Sequence, residues 1–504
     1  MSPSIRFAWA LAAGLLMSGC AAGPAYQRPP VTVPEQIRGQ APPAGAGSSE
    51  PGAASTEPGT ASAGSAPLAA ESASIADEAW WQIFQDPALQ SLIDEALRNG
   101  FDVRLAAARV EEARANAGIA RSGYFPAIQA DGGWSRSRRS GFTSPVTQPV
   151  NLYDVNLGLS WEIDLWGRIR RLNEAALARY LATEEARRGV LLSLVSDVAT
   201  SYFRLRELDL QLEIARRTAT AFKETHALFS RRLEAGAASA LETSSAEASL
   251  ATTTASIPDL ERQIVAEENL LGLLLGRSPA DIPRGAALND QPLPQQVPAG
   301  LTSDLLKRRP DVRQSEQQLI AANADVGVTV ADFFPTISLT GALGGVAPQV
   351  SDLFGEGKTW SVGGGFLSPL FQGRRLRNQH RAALARWEQA RVDYERSVTN
   401  AFSEVSSALV AYQKLADSET EQARAVAAYR EAVRLSNSRY LAGLSDYLEV
   451  LQAQQQLFPA ENALARTRFD RLATLVDLYK SLGGGWRLGD AEWVRAELGN
   501  AARP

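Results

Sequence analysis

This sequence of 504 residues holds one cysteine and two histidines, His226 and His380. A zinc site built from His and Cys is therefore short of ligands, and each His reads as a helix-surface residue. The net charge is only -5, which gives no basic face for nucleic acid. Beyond the N-terminus there is no run of eighteen apolar residues, so no transmembrane helix is expected. A role in a membrane then requires a lipid anchor or a β-barrel. No nucleophile–base constellation or strand-to-helix phosphate loop stands out. GALGG at 341–345 and VGGG at 362–365 lie in expected strands, where glycine permits curvature. An enzyme is not expected, nor is any cofactor.

The N-terminus reads as a targeting signal. Arg6 is followed by an apolar stretch from Phe7 to Met17, too short to span a bilayer. Ser18, Gly19 and the lone Cys20 come next, and LLMSGC resembles a bacterial lipobox. Residues 1–19 are expected to be removed and Cys20 to carry a diacylglycerol with palmitate; an ordinary signal peptide is the alternative. A chain without a second thiol has nothing to mispair in an oxidising periplasm. Ala21, rather than Asp, after the Cys favours sorting to the outer membrane by the same resemblance. Residues 20–78, rich in Ala, Gly, Pro, Ser and Thr, read as a flexible tether, with order beginning near Trp80-Trp81.

The rest of the chain is one pattern written twice. FDVRLAAARVEEARANAG at 101–118 matches PDVRQSEQQLIAANADVG at 310–327, and GYFPAI at 123–128 matches DFFPTI at 332–337. AALARY at 175–180 matches AALARW at 382–387, and RLEAG at 232–236 matches RYLAG at 439–443. LLLG at 273–276 and YKSLG at 479–483 share their final Leu-Gly. The two repeats are placed at 79–285 and 286–486, with a tail at 487–504.

Each repeat predicts helix, two strands, a very long helix, a turn and a return helix. The first helices are expected over 88–120 and 301–331, each ended by Phe-Pro. Strands are expected near 126–138, 151–165, 335–346 and 358–370. From Tyr153 to Leu165 apolar and polar residues alternate strictly. Asp154, Asn156, Glu162 and Asp164 then share one face and suit a wet lumen. A tilted outer membrane strand needs about 10 residues; a soluble sheet with one wet face is the alternative. Long helices are expected over 168–235 and 374–442, rods of roughly 100 Å. Leu191, Leu194, Val198, Tyr202, Leu205, Leu208 and Leu212 form a seam at steps of three and four, as do Val398, Phe402, Val405, Leu409 and Tyr412. Return helices are expected over 241–276 and 446–482, bent or divided at Pro258 and Pro459.

Four strands cannot close a barrel alone, and open backbone edges are not viable in lipid. Copies of the chain must share one barrel; three copies give twelve strands and leave a lumen. The expected fold is an α+β membrane protein: a trimeric 12-stranded β-barrel, four strands per chain, continued by a long antiparallel α-helical barrel.

At this point the chain resembles the TolC-like outer membrane efflux proteins, in the lipoprotein branch that includes OprM and NodT. The resemblance rests on CAAGPAYQRPPVTVP at 20–34, WWQIFQDPALQSLIDEAL at 80–97, DLWGRIRR at 164–171, RRPDVRQSE at 308–316, DFFPTISLTG at 332–341 and LYKSLGGGW at 478–486. It implies a homotrimer with a mixed equatorial domain, working with a periplasmic adaptor and an inner membrane pump of the RND type. It implies small-molecule efflux through a passive duct, with type I-like secretion or metal efflux as alternatives. A porin fits poorly with the helical bulk, and an elongated periplasmic scaffold without a channel is the rival of another class.

The same resemblance makes the turns at Gly236 and Gly443 the periplasmic tips where adaptors dock. It places the gate on Leu448, Glu449 and Gln452 in the second repeat and on Leu241 and Glu242 in the first. Gln452 departs from the family, where many relatives carry Asp, which removes one ring of like charge.

Overall fold

A computed structural model describes residues 22–31, 34, 37–38, 84–138, 140, 142, 148–294 and 302–484. The signal peptide, Cys20, most of the 20–78 tether, Trp80-Trp81 and the 487–504 tail lie outside the described residues. The chain divides into two compact units, each drawn from both halves of the sequence. Unit 1 comprises Met1–Pro30, Ala108–Glu185 and Gln314–Arg396; unit 2 comprises Val31–Ala107, Ala186–Arg313 and Ser397–Pro504.

The helices α1 (Pro87–Asn99) and α2 (Phe101–Ser122) lead into β1 (Ala127–Ser137) and β2 (Val150–Ile163). Then come α3 (Arg168–Glu234) and α4 (Ala240–Leu274). The second half runs α5 (Thr302–Arg308), α6 (Pro310–Ala331), β3 (Thr336–Ala347), β4 (Lys358–Leu367), α7 (Arg375–Leu441) and α8 (Tyr447–Ser481).

In unit 1 the strands form one antiparallel sheet in the order β1-β2-β3-β4. The register pairs Ile128 with Leu159, Leu157 with Leu343, and Leu343 with Trp360. Residues directly opposite share a face. One face is therefore apolar, with Trp134, Val155, Trp161, Leu339 and Phe366, and these side chains are exposed. The other carries Gln129, Asp131, Asp154, Asn156, Thr340 and Ser361. Asp164 lies beyond β2, and this corrects its expected place on the lumen face. Its carboxylate accepts from the backbone N–H of Ile169 and Arg170, both at 3.0 Å, and so caps α3. Glu162 keeps its place on the polar face but is engaged by Arg168 at 2.5 Å.

In unit 2 the predicted seam is the core. Leu191, Leu194, Val198, Tyr202, Leu205 and Leu208 are all buried, as are Val398, Val405, Leu409 and Tyr412. Each such side chain contributes about 1.5–3 kcal/mol on burial. The seam packs the middle of α3 and α7, which run unbroken for 67 residues each.

Three expectations change. The helix expected over 88–120 is two, α1 and α2, divided at Gly100. Gly276, at φ +73°, ends the α4 segment against this break, where a Cβ on it would lie 2.3 Å from the Asn99 carbonyl. The helix expected over 301–331 is likewise α5 and α6, with Pro310 opening α6. There Gly483, at φ +92°, sits against Arg308 and Arg309. The shared Leu-Gly of the two repeats is thus a docking element for a broken helix. Finally, of the bend or division expected at Pro258 and Pro459, division is excluded, since each lies inside a single helix. Each costs a hydrogen bond, and the neighbouring packing of Ile257 and Phe458 against the core holds the helix through it.

Candidate functional site

The hairpin tips of unit 2 carry the candidate gate. Gly236 and Gly443 both have φ +71°, the left-handed geometry that terminates α3 and α7. The N–H of Ala237 reaches the Arg232 carbonyl at 2.7 Å, and the N–H of Leu444 reaches the Arg439 carbonyl at 2.9 Å. Behind the turns lies an aromatic knot that sequence reasoning missed. Phe229, Tyr440 and Tyr447 pack with ring centroids at 4.2–6.3 Å. Arg232 donates to the Tyr440 hydroxyl and lies 5.5 Å from its ring centroid. The available signal was Tyr440 itself, which stands in RYLAG where the first repeat has Leu233.

The gate residues fall at the starts of the return helices. Leu241 is 76% exposed and Leu448 59%, bare apolar side chains on the first turns of α4 and α8. Glu242 is committed locally. Its carboxylate accepts from the Ser239 N–H at 2.8 Å, while Ser239 caps the Glu242 N–H, a complete capping box. The second repeat has no such box, since Asp446 makes no side-chain cap bond. Glu449 instead faces Arg439 at 3.3 Å, with both side chains about half exposed. Gln452 is exposed.

Further up unit 2, Glu461 of α8 is 6% exposed and receives Arg217 of α3 at 2.6 Å and Arg430 of α7 at 2.8 Å. One carboxylate thereby ties three helices together, a role unreadable from a single Glu in an Ala-rich helix. Asp86, 1% exposed, is a second hub missed in the sequence. It caps α1 and accepts from the Tyr202 hydroxyl, Gln291 and the Ala286 N–H at 2.8–3.1 Å.

In unit 1 the chain just after Cys20 is seated at the base of the sheet. The Ala22 N–H reaches the Trp166 carbonyl at 2.9 Å, and Arg171 donates to the carbonyls of Ala22, Gly23 and Pro24 at 3.2 Å. A Cβ on Gly23 would lie 2.5 Å from the Gly327 Cα, so the two glycines permit the approach. Tyr26 and Arg28 both donate to Glu316. Beside this seat, Trp166 stacks on Phe334 at 4.8 Å and donates to the Pro335 carbonyl at 2.7 Å.

Among the described residues no group of three His, Cys, Asp or Glu is placed to hold a metal. His380 contacts Thr329 at 3.0 Å and His226 lies by Ser230 at 3.5 Å. A groove of about 620 Å³ in unit 2 is lined by Ser193, Arg309, Asp311, Glu404, Asp477 and Lys480. Its Arg309 is held by Asp311 and Glu404 at 2.6 and 2.7 Å, a structural use of the charge.

The model of the outer membrane efflux protein family matches the chain twice, over residues 92–277 and 301–484. The chain belongs to the outer membrane efflux protein family. It is 38% identical to the solvent efflux pump outer membrane protein SrpC of Pseudomonas putida, over 80% of this chain and 87% of that one. It is 32% identical to the cation efflux system protein CusC of Escherichia coli, over 94% and 97% respectively. Its fold is similar to that of the MtrE outer membrane channel of Neisseria gonorrhoeae, solved in its open state, with a TM-score of 0.78 and 31% identity over 92% of this chain and 98% of that one. Phe125, Trp161, Trp166, Phe334 and Phe371 are exposed aromatic side chains at the helix end of the sheet. No described helix is long and apolar enough to cross a membrane.

Proposed function

We propose that this efflux protein is the exit duct of a tripartite system, conducting small toxic compounds passively from an RND-type pump and a periplasmic adaptor to the outside. One observation carries the reading: the sheet has an apolar face, a polar face and, among the described residues, two unpaired edges, β1 and β4. Such a sheet is viable in lipid only when its edges pair with other copies, and three copies make a 12-stranded barrel around the polar face. The long helices α3 and α7 continue it as a helical barrel with a mixed equatorial domain. The twofold match of the family model supports two internal repeats. The seat of residues 22–28 beside Trp166 supports a lipid on Cys20, since the chain that follows the Cys is held at the aromatic, helix end of the sheet. The names of the relatives, solvent and cation efflux, support small-molecule cargo. Asp131 and Asp154 on the polar face favour cations as the second reading of the cargo.

At the periplasmic tips, adaptors dock on the turns at Gly236 and Gly443. Leu241 and Leu448 with Glu449 narrow the mouth, and Gln452 leaves Glu449 as the charged member of the ring in the second repeat. Glu242 enters as the cap of α4 rather than as a free charge. The test is single-channel recording of the purified protein in planar bilayers. A heat-labile trimer with low resting conductance is expected, and Leu448→Ala with Glu449→Ala raises that conductance severalfold. An unchanged closed state removes these residues from the gate; a monomer without conductance overturns the duct.

A further inference from the structure

We propose that the outer, apolar face of the sheet binds the phosphate-bearing headgroup of an acylated outer-leaflet lipid at the end where the strands are joined by loops. This rests on the duct reading, in which that face meets lipid.

The charges of the strands are sorted by face. Every carboxylate, Asp131 in β1 and Asp154 and Glu162 in β2, lies on the polar face. Both cations of the strands lie on the other. Arg136 is opposite Asn151, in line with Tyr153, and Lys358 is opposite Gly345, in line with Val155. Both stand at the loop end, away from α3 and α7, and both are exposed. Neither has an ion-pair partner among the described residues. A cation on a lipid-facing surface is costly at the bilayer centre and cheap at the headgroup level. Placement at the extreme end of the strands is what a headgroup contact requires.

The β3–β4 loop adds an apolar component on the same face. Its Leu353 is 4% exposed and its backbone lies where a Cβ on Gly345 would point, 2.0 Å from the Leu353 carbonyl. The loop thus folds onto the face that carries Lys358, and Ala347 on that face is buried beneath it. Gly357 ties it back through its carbonyl to the Val346 N–H at 2.8 Å. Seated so, it leaves Val350 and Phe354 exposed, 59% and 67%, at the same loop end of the sheet as the cation. A cation and bare apolar side chains at one end of the sheet match a headgroup phosphate with acyl chains beneath it.

Ring closure sharpens the point. Arg136 lies on edge strand β1 and Lys358 on edge strand β4. Pairing the β4 edge of one copy with the β1 edge of the next brings these like charges to the same end of one seam. Like charges across a strand pair repel, and a bridging phosphate relieves the repulsion with charge-assisted bonds to both.

The probe is lipid A, a bisphosphorylated acylated disaccharide, added to the purified trimer and counted by native mass spectrometry. Phosphatidylethanolamine and inorganic phosphate serve as comparison ligands. The wild type is expected to retain lipid A through delipidation, and Arg136→Gln with Lys358→Gln to retain about tenfold less. Trimer heat-lability and single-channel conductance should be unchanged in the variant. Phe354→Ser should weaken retention of lipid A without creating affinity for inorganic phosphate. Equal retention by wild type and the double glutamine variant overturns the proposal. Displacement of lipid A by millimolar inorganic phosphate also overturns it, because the face then reads a free anion. A conducting trimer that holds no lipid A overturns this proposal alone, whereas a wild type that forms no trimer overturns the duct reading with it.

Discussion

Glu207 shows how much of this protein is decided by single side chains. It is fully buried in α3, paired with Arg204 and bonded by Gln211 at 2.7 Å. Burial pushes its carboxyl above the ordinary value of 4.5, and Arg204 only partly offsets this. A carboxyl raised by folding makes the folded state bind more protons between the ordinary and the raised pKa. Stability contributed by this residue is therefore greatest at acidic pH and is lost as pH rises through the raised value. As pH rises above the ordinary value of 4.5, the thermal midpoint of wild type should fall more steeply than that of Glu207→Gln. Parallel slopes would remove Glu207 as the source. At this scale the sequence was legible where a residue has one conformation-bound job, as with Gly236 and Gly443. It was less legible where a carboxylate has two possible jobs. Glu242 resembles a gate charge by position, yet Ser239 three residues earlier is the stronger claim on it, as the capping-box spacing allows.

The two return helices begin differently, and the difference is measurable. Ser239 caps α4 through its side chain, whereas Asp446 makes no such bond at α8. Ser239→Ala should lower the local opening free energy of the first turn of α4 by about 1 kcal/mol. Asp446→Ala should stay within about 0.5 kcal/mol. Hydrogen exchange at the two tips reads both, and equal losses would show the caps to be equivalent. Elements were legible where a period ran uninterrupted. Alternation from Tyr153 to Ile163 gave β2, and the seam through Tyr202 gave α3. The breaks at Gly100 and Arg309 had local signals, the glycine itself and Pro310, but the helical period passes across both and hid them. What the sequence could not show is that Gly276 and Gly483, far along the chain, pack against these breaks. The hubs at Asp86 and Glu461 escaped because their partners come from other elements.

For the whole molecule, the proposed duct is held to the membrane by two devices, the lipid on Cys20 and the sheet. Cys20→Ala separates them. The variant should lose lipid labelling yet remain in the outer membrane fraction through an alkaline wash, because the sheet still spans. A fully soluble monomer would mean that the sheet never inserts and would end the duct reading. The open edges β1 and β4 have a further consequence, for inheritance rather than for transport. In the proposed shared barrel a chain satisfies its backbone only beside its own copies and has no safe solitary state, so folding, insertion and assembly are one event. A defective copy with intact edges would be built into most barrels of a mixed population and spoil them. Loss-of-function alleles at the tips should then be dominant over the wild type, whereas alleles that destroy an edge strand should be recessive, excluded before they can do harm.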